Sequence, residues 1–398
     1  MTQKGINVYS EIGKLKTVLL HRPGDEMANL TPDLLERLLF DDTPDLEVAQ
    51  KEHDEFAKIL QSKGIETLYI ENLVADTIKD NKNLRNELLE NFLDESDVDP
   101  KRRDMLRTYL DKLNDLDMVK KMIAGVTKFE IGITEKEEYP LLVDPMPNIL
   151  FQRDPFASVG NGATVHRMYT VTRRRETLFV DCVFKNHPRF KDQINLWYTR
   201  NESEHLEGGD VMVLSKNTLI IGCTERTTMK AIRKVAKNIF ENKNTTFKKV
   251  VALDLNTKNR AFMHLDTVFT NVDYDKFIAH PLIFENEKTF KIIEITENGE
   301  KEIKESIIDY LSSEVGKPVK IIKCGGDDPI HEAREQWNDG TNVLTINPGE
   351  VIAYSRNHIT VKLLKEAGVK VHEIPSSELS RGRGGPRCMS MPIIREDI

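Results

Sequence analysis

The sequence predicts an α/β chain built from about five ββαβ-like units, joined in one closed body and interrupted by a block of helices. Three observations predict it. Apolar, β-branched segments come in pairs around a turn signal, helical stretches follow several of these pairs, and the clearest pairs recur at one spacing. They begin at Asp154, Asp210 and Asp266, so both intervals are 56 residues. A fixed period means units that are stacked or arranged radially. Length alone, at roughly 150 residues per domain, would instead suggest two or three domains.

The first unit is degenerate. Strands Thr17–His21 and Ile65–Ile70 flank a helix running through Glu47 to Lys63. Between Ile65 and Ala124 the repeat breaks down: there is no glycine, and the single proline, Pro100, follows Asp99 as an N1 proline follows an N-cap. Leu84, Leu88, Leu106, Leu110 and Leu113 recur at helical spacing. This predicts a helical insertion over residues 73–139, leaving 1–72 and 140–398 as the main α/β domain.

The hairpins follow in order. Asp154-Pro-Phe-Ala-Ser turns at Asn161-Gly162 into Ala-Thr-Val-His, and Asp210-Val-Met-Val-Leu turns at Lys216-Asn217 into Thr-Leu-Ile-Ile. Asp266-Thr-Val-Phe-Thr turns near Asp273, and Asn342-Val-Leu-Thr-Ile turns at Pro348-Gly349. After Arg226, residues Ile232, Val235, Ala236 and Ile239 form one apolar helix face, and Val250–Leu255 closes that unit as a strand. A further helix after Arg356 stops at Gly368.

Composition narrows function. With 57 Lys and Arg against 65 Asp and Glu the net charge is -8, and no long Lys/Arg block occurs. Phosphate-backbone binding needs clustered cations, so nucleic acid is excluded as a partner and a small cationic ligand fits better. Cys182, Cys223, Cys324 and Cys388 are widely spaced with no Cys-x-x-Cys pair, so neither zinc nor a disulfide framework is signalled. The segment from Met1 to Gly5 lacks a secretory apolar run, and no stretch of about 18 apolar residues suggests a membrane span. A cytoplasmic protein with reduced thiols is expected.

The segment from Ser380 to Ser390 is rich in glycine and arginine and contains Cys388. Nearby cations lower a thiol pKa, which makes Cys388 the candidate nucleophile; the other three cysteines, in apolar surroundings, read as core. His264 and Asp266 stand two residues apart at a strand start, which puts both on one face. Glu207-Gly208-Gly209-Asp210 and Arg153-Asp154-Pro155 hold the matching positions of other units. Acids and a histidine converging from repeated strand starts would make a cation pocket, although strand-initial Asp and Glu-Gly-Gly also serve as plain turn chemistry. His264 with Asp154, Asp210 and Asp266 could also ligate a divalent ion. No His-x-x-x-His or Asp-x-His cluster supports that, and His205 is the sole second histidine near these acids.

Taken together, Phe151-Gln152-Arg153-Asp154, Glu207-Gly208-Gly209-Asp210, His264-Leu265-Asp266-Thr267-Val268-Phe269 and Gly382-Arg383-Gly384-Gly385-Pro386-Arg387-Cys388-Met389 resemble the arginine deiminases. Ser10-Glu11-Ile12-Gly13-Lys14-Leu15 and Leu38-Leu39-Phe40-Asp41-Asp42 extend the resemblance over nearly the whole chain. It implies a pseudo-fivefold α/β propeller and hydrolysis of L-arginine to L-citrulline and ammonia, without metal or organic cofactor and commonly as a homo-oligomer. It makes Cys388 the nucleophile, His264 the general acid and base, and Glu207 its support, with Asp154 and Asp266 on the substrate guanidinium. Arg173, Arg226 and Arg383 are implied to meet the α-carboxylate, and Asn148 and Phe151 to line the pocket. Arg173-Arg174-Arg175 offers three registers for one of these roles, and Arg387 receives no catalytic role. An amidinotransferase, a methylarginine hydrolase and a non-enzymatic binding scaffold are the competing readings.

Overall fold

The computed structural model describes residues 5–134, 139–255, 263–281, 283 and 290–398. Residues 1–4, on which the reading of the N-terminus rested, lie outside them, as do residues 135–138 of the expected insertion. Among the described residues, five sheets share one plan: an antiparallel pair whose second strand is joined in parallel to a third. Strands Phe156–Val159, Gly162–Val165 and Asn195–Tyr198 form one. Val211–Val213, Thr218–Cys223 and Lys249–Leu255 form the next. Phe269–Asp273, Lys276–Ala279 and Lys320–Lys323 form another, and Leu344–Asn347, Glu350–Tyr354 and Lys370–Ile374 the last in chain order. In each, a helix links the second strand to the third, as parallel neighbours require. The helix Met229–Glu241 buries Ile232, Val235, Ala236 and Ile239, the face that its spacing predicts.

The degenerate first unit is completed from the far end of the chain. Leu15–Leu20 runs parallel to Glu66–Tyr69 across the helix Leu46–Ser62, and its antiparallel partner is Met391–Arg395. That C-terminal strand follows directly on the Cys388 loop, so closing the first sheet also fixes the cysteine. One addition departs from the repeat. Phe290–Thr296 extends the Val211 sheet and turns at Asn298-Gly299 into Gly299–Ile303, a charged and exposed edge strand of the type that resists edge-to-edge pairing.

The predicted helical block consists of Ile70–Ile78, Lys82–Asp94, Pro100–Asp111 and Asp115–Ala124, so it begins three residues earlier than the sequence suggests. Asp99 caps the third helix through the Lys101 amide, with Pro100 at N1. The block then gives way to a short pair, Val126–Thr127 with Leu141–Val143. Leu88, Leu106 and Met118 share one apolar cluster with Phe156, Val165 and Phe179 of the neighbouring unit. Each such leucine contributes about 1.5–3 kcal/mol on burial, which fixes the helices firmly to the sheets.

The starts of the five units meet in a closed cycle of hydrogen bonds. Gly208 N donates to Asp154 O (3.3 Å) and Leu265 N to Asp210 Oδ1 (2.9 Å). Asn342 Nδ2 donates to Asp266 O (3.3 Å), Cys388 N to Asn342 Oδ1 (2.9 Å) and Arg153 N back to Cys388 O (3.0 Å). The three equally spaced starts, at Asp154, Asp210 and Asp266, are therefore joined at a common centre by Asn342 and Cys388, which fall outside that spacing.

Candidate active site

A cleft of about 620 Å³ opens on that centre, and Asn148, Phe151, Asp154, Arg173, Arg226, His264, Arg383 and Cys388 all line it. Glu207 and Asp266, the other two predicted residues, are fully buried directly behind its wall. All ten candidates from the sequence are thus gathered at one place.

His264 arrives from the residue before the short helical turn Leu265–Thr267. Its ring passes over Gly209, where an added Cβ would lie 2.6 Å from the imidazole, so the Glu-Gly-Gly motif makes room for the histidine. His264 Nε2 is 2.9 Å from Glu207 Oε2, and Nδ1 is 3.8 Å from Asp154 Oδ1. Burial disfavours the imidazolium, but Asp154, the hydrogen bond to Glu207 and Asp210 outweigh it and raise the pKa to about 9. At neutral pH the ring is a cation able to give a proton. Burial likewise works against the Glu207 carboxylate, and the bond from His264 with the charge of Arg226 holds its pKa well below the usual range.

The thiol contradicts the expectation drawn from its arginine-rich loop. Cys388 is pushed well above the ordinary thiol pKa, first by burial and then by Asp266, Asp154 and Asp339, against the pull of Arg387. Neighbours in sequence are not neighbours in charge here. Arg383 turns outward to stack on Trp337, 3.5 Å from the ring centroid, and pairs with Asp41, while Arg381 pairs with Asp42 and Glu378. The Cys388 Sγ instead lies 3.6 Å from Asp266 Oδ2. Without substrate the sulfur holds its proton.

The three consecutive arginines point in different directions. Arg174 reaches the Met168 carbonyl, Arg175 reaches the Asp144 carbonyl over the Phe92 ring, and Arg173 alone of the three lines the cleft. Arg173 already has acid partners: Nη1 is 2.8 Å from Asp154 Oδ2, and Nε and Nη2 grip Glu176 at 2.9–3.2 Å. In this substrate-free structure it orients Asp154. Arg226 is freer: it lies over the Tyr169 ring and 3.7 Å from Glu207, and its buried Nε and Nη1 have no hydrogen-bond partner among the described residues. Phe151 packs where Gly382 and Gly384 leave no room for a Cβ. Asn148 Nδ2 donates to the Leu38 carbonyl at 2.5 Å, which ties this wall to the Leu39–Asp42 loop.

Each acid next to the thiol has one oxygen held and one open. Arg173 holds Asp154 Oδ2 and Arg387 holds Asp266 Oδ2 (2.7 Å), whereas both Oδ1 atoms are buried with no hydrogen-bond donor among the described residues. Two orphaned carboxylate oxygens are costly unless a cation with N–H donors fills the space between them. Asp154, Glu207 and His264 also bring one ligand atom each within 4.8 Å of one another, which is metal-binding reach. Arg173 and Arg226, already paired to the two acids of that group, oppose a second cation there.

Sequence reasoning missed four supporting residues. Asn342 holds the Cys388 amide, Glu176 backs Arg173, and Glu11 with Arg387 backs Asp266. The motif around Arg387 was visible, but its partner lies 376 residues away in the chain. Asp210 does not line the cleft: it accepts the Leu265 amide and the Thr224 hydroxyl, and its charge acts on His264 from behind.

The arginine deiminase family model matches residues 36–395 of the chain. An arginine deiminase of Mycoplasma capricolum is 56% identical over 398 residues, covering 100% of this chain and 98% of the relative, and that of Borrelia duttonii is 49% identical, covering 99% of each. Among solved structures, an amidinotransferase of saxitoxin biosynthesis from Microseira wollei superposes with a TM-score of 0.59 at 13% identity, over 99% of this chain and 98% of its own. A dimethylarginine dimethylaminohydrolase of Pseudomonas aeruginosa, complexed with citrulline, gives 0.54 at 15% identity over 95% and 99%. These two likenesses show a shared mixed α/β fold. With a family model spanning most of its length and relatives near half identical end to end, the chain belongs to the arginine deiminase family.

Proposed function

We propose that this enzyme hydrolyses L-arginine to L-citrulline and ammonia through a covalent intermediate on Cys388. The observation that carries the reading is the pair of unsatisfied oxygens, Asp154 Oδ1 in the cleft wall and Asp266 Oδ1 buried behind it, on the two acids next to a buried thiol. A guanidinium offers planar N–H donors and one positive charge, and it satisfies both acids at once.

Binding also changes the nucleophile. Burial first, and the neighbouring acids second, keep the proton on Cys388; the incoming cation neutralises the acids and sets a positive charge beside the buried sulfur, which favours the thiolate, so the thiol loses its proton to solvent when its target arrives. The thiolate attacks the central guanidinium carbon and forms a neutral tetrahedral adduct. His264, protonated at rest, gives its proton to the departing nitrogen, and ammonia leaves an S-alkylthiouronium on Cys388. The now neutral imidazole takes a proton from water as the oxygen adds to that carbon. Collapse frees citrulline as the hydroxyl proton passes to the departing Cys388 sulfur and restores the thiol, while the released ammonia takes up the proton that the thiol gave away at the start. Arg226 and Arg383 stand at the mouth for the α-carboxylate, and the reading calls on no cofactor.

The five-step hydrogen-bond cycle between unit starts supports a pseudo-fivefold propeller, with the helical block at residues 73–139 as an insertion between its first and second units. Four free cysteines, and no helix among the described residues long and apolar enough to cross a membrane, fit a reducing cytoplasm.

The direct test is a product assay after exhaustive chelation, in parallel with Cys388→Ser. Citrulline plus ammonia from the chelated enzyme, and none from the serine variant, are expected. Ornithine plus urea, loss of activity on chelation, or near-normal turnover by Cys388→Ser would overturn the reading.

A further inference from the structure

Arg387 directly precedes the nucleophile, yet its side chain does not line the cleft and is 1% exposed. Its Nη1 donates to Asp266 Oδ2 at 2.7 Å, and its Nε and Nη2 donate to Glu11 Oε2 at 3.3 and 3.2 Å. Nη2 also reaches the Val211 carbonyl at 2.9 Å, and Glu11 Oε1 accepts the Val213 amide at 3.3 Å. One guanidinium thus joins the N-terminal segment, the Val211 strand and the acid beside the thiol.

Asp266 Oδ2 has two suitors. Arg387 holds it at 2.7 Å, and Cys388 Sγ stands at 3.6 Å. A charged N–H donor outcompetes a thiol, which is a weak one. With Arg387 in place, Oδ2 is taken mainly by the charged donor at 2.7 Å, the S–H bond to it at 3.6 Å stays long and weak, and Oδ1 is left open. Without it, the S–H becomes the nearest remaining donor to a buried anion. The other side of the cleft has the same order of groups, Glu176 holding Arg173 and Arg173 holding Asp154.

We propose that Glu11 and Arg387 are a positioning pair: Glu11 fixes the arginine, and the arginine fixes Asp266 so that Oδ1 faces the substrate guanidinium and Cys388 is free to attack. The proposal rests on the reading of Asp266 as a guanidinium ligand and Cys388 as nucleophile. Neither Glu11 nor Arg387 touches substrate; they act through Asp266.

The test uses the full-length enzyme with Arg387→Gln, Arg387→Lys and Glu11→Gln. Two quantities are read: kcat/KM for arginine, and the pH midpoint for iodoacetamide labelling of Cys388 without substrate. Asp266, Asp154 and Asp339 raise this thiol and Arg387 lowers it, while the His264 imidazolium and Arg173 face the same cleft across Asp154, so removing Arg387 strips the cation paired with Asp266 and leaves the others in place. Arg387→Gln is expected to raise the labelling midpoint by about one pH unit and to lower kcat/KM about 100-fold. Arg387→Lys, a point charge that cannot bridge two acids, should recover about a tenth of the lost rate. Glu11→Gln should shift both readouts in the same direction by less. A purely structural role would lower the melting temperature and leave the midpoint in place, and an unmoved midpoint in the folded variants overturns the proposal. If Arg387→Gln does not fold, Arg387→Lys and Glu11→Gln decide it by the same two readouts. The labelling midpoint does not depend on turnover, so failure of the nucleophile reading, seen as an active Cys388→Ser enzyme, is separately visible.

Discussion

Asn342 Oδ1 accepts the backbone amide of Cys388 at 2.9 Å, and its Nδ2 donates to the Asp266 carbonyl at 3.3 Å, so one buried amide side chain sets the spacing between nucleophile and acid. Asn342→Ala should leave the Cys388 amide buried without an acceptor, at a cost of about 1–3 kcal/mol. Turnover should fall further than that loss of stability explains, because the loop carrying the sulfur shifts. Asn342→Asp keeps the acceptor and should be milder. Citrulline rates beside thermal melts check this, and a wild-type rate in the alanine variant would show that the loop is held by other contacts.

Glu207→Gln removes the carboxylate that bonds His264 Nε2 and helps to raise the imidazole to about 9. The histidine should then titrate lower, leaving less imidazolium at neutral pH to protonate the leaving nitrogen. Loss of general acid catalysis is worth about 100- to 10,000-fold. The His264 ring proton, followed by NMR against pH, should move its midpoint downward; an unchanged midpoint would remove Glu207 from this role.

Arg173 and Arg226 should separate on substitution. Arg173→Met strips a cation from buried Asp154 and Glu176, and breaking such a pair costs about 3–5 kcal/mol, so the melting temperature should drop along with activity. Arg226 has open donors and a longer contact to Glu207, so Arg226→Met should chiefly raise KM for arginine. Equal stability of the two variants would argue that Arg173 serves substrate alone.

Stability should fall on the alkaline side through a second buried histidine. His21 lies between Glu71 and Glu26 at 3.0 and 3.1 Å; burial opposes its charge, but the two acids raise its pKa from 6.5 to about 10. A raised pKa means stability that is complete below about 6.5 and lost as pH climbs through about 10. Several kcal/mol are at stake, with His264 contributing in the same window. Denaturant midpoints from pH 7 to 10.5 should decline in the wild type and much less in His21→Gln. Parallel slopes would place the loss elsewhere.

Local features were legible because they are written locally. Turn pairs such as Asn161-Gly162 lie at hairpins, the Asp99-Pro100 cap starts a helix, and the apolar stripe of Met229–Glu241 is buried as its spacing requires. The extra hairpin at Asn298-Gly299 carries the same kind of turn signal but falls outside the repeat. The starts of the repeated units marked the residues that converge, since equivalent positions of repeated units fall at equivalent places in a fold built from them.

What the sequence determined by itself is therefore the repeat, the helical block and the set of residues brought to one centre. The tertiary structure decided what surrounds each of them. It paired Leu15–Leu20 with a strand from the opposite end of the chain, turned Arg383 outward to Trp337, and gave Asp266 to Arg387. The thiol that sits among arginines in sequence sits among acids in space. The physical reason is range. Turn and helix preferences act over a few residues, whereas a buried charge responds to whatever lies within a few ångströms, and only the folded chain decides which distant residues those are.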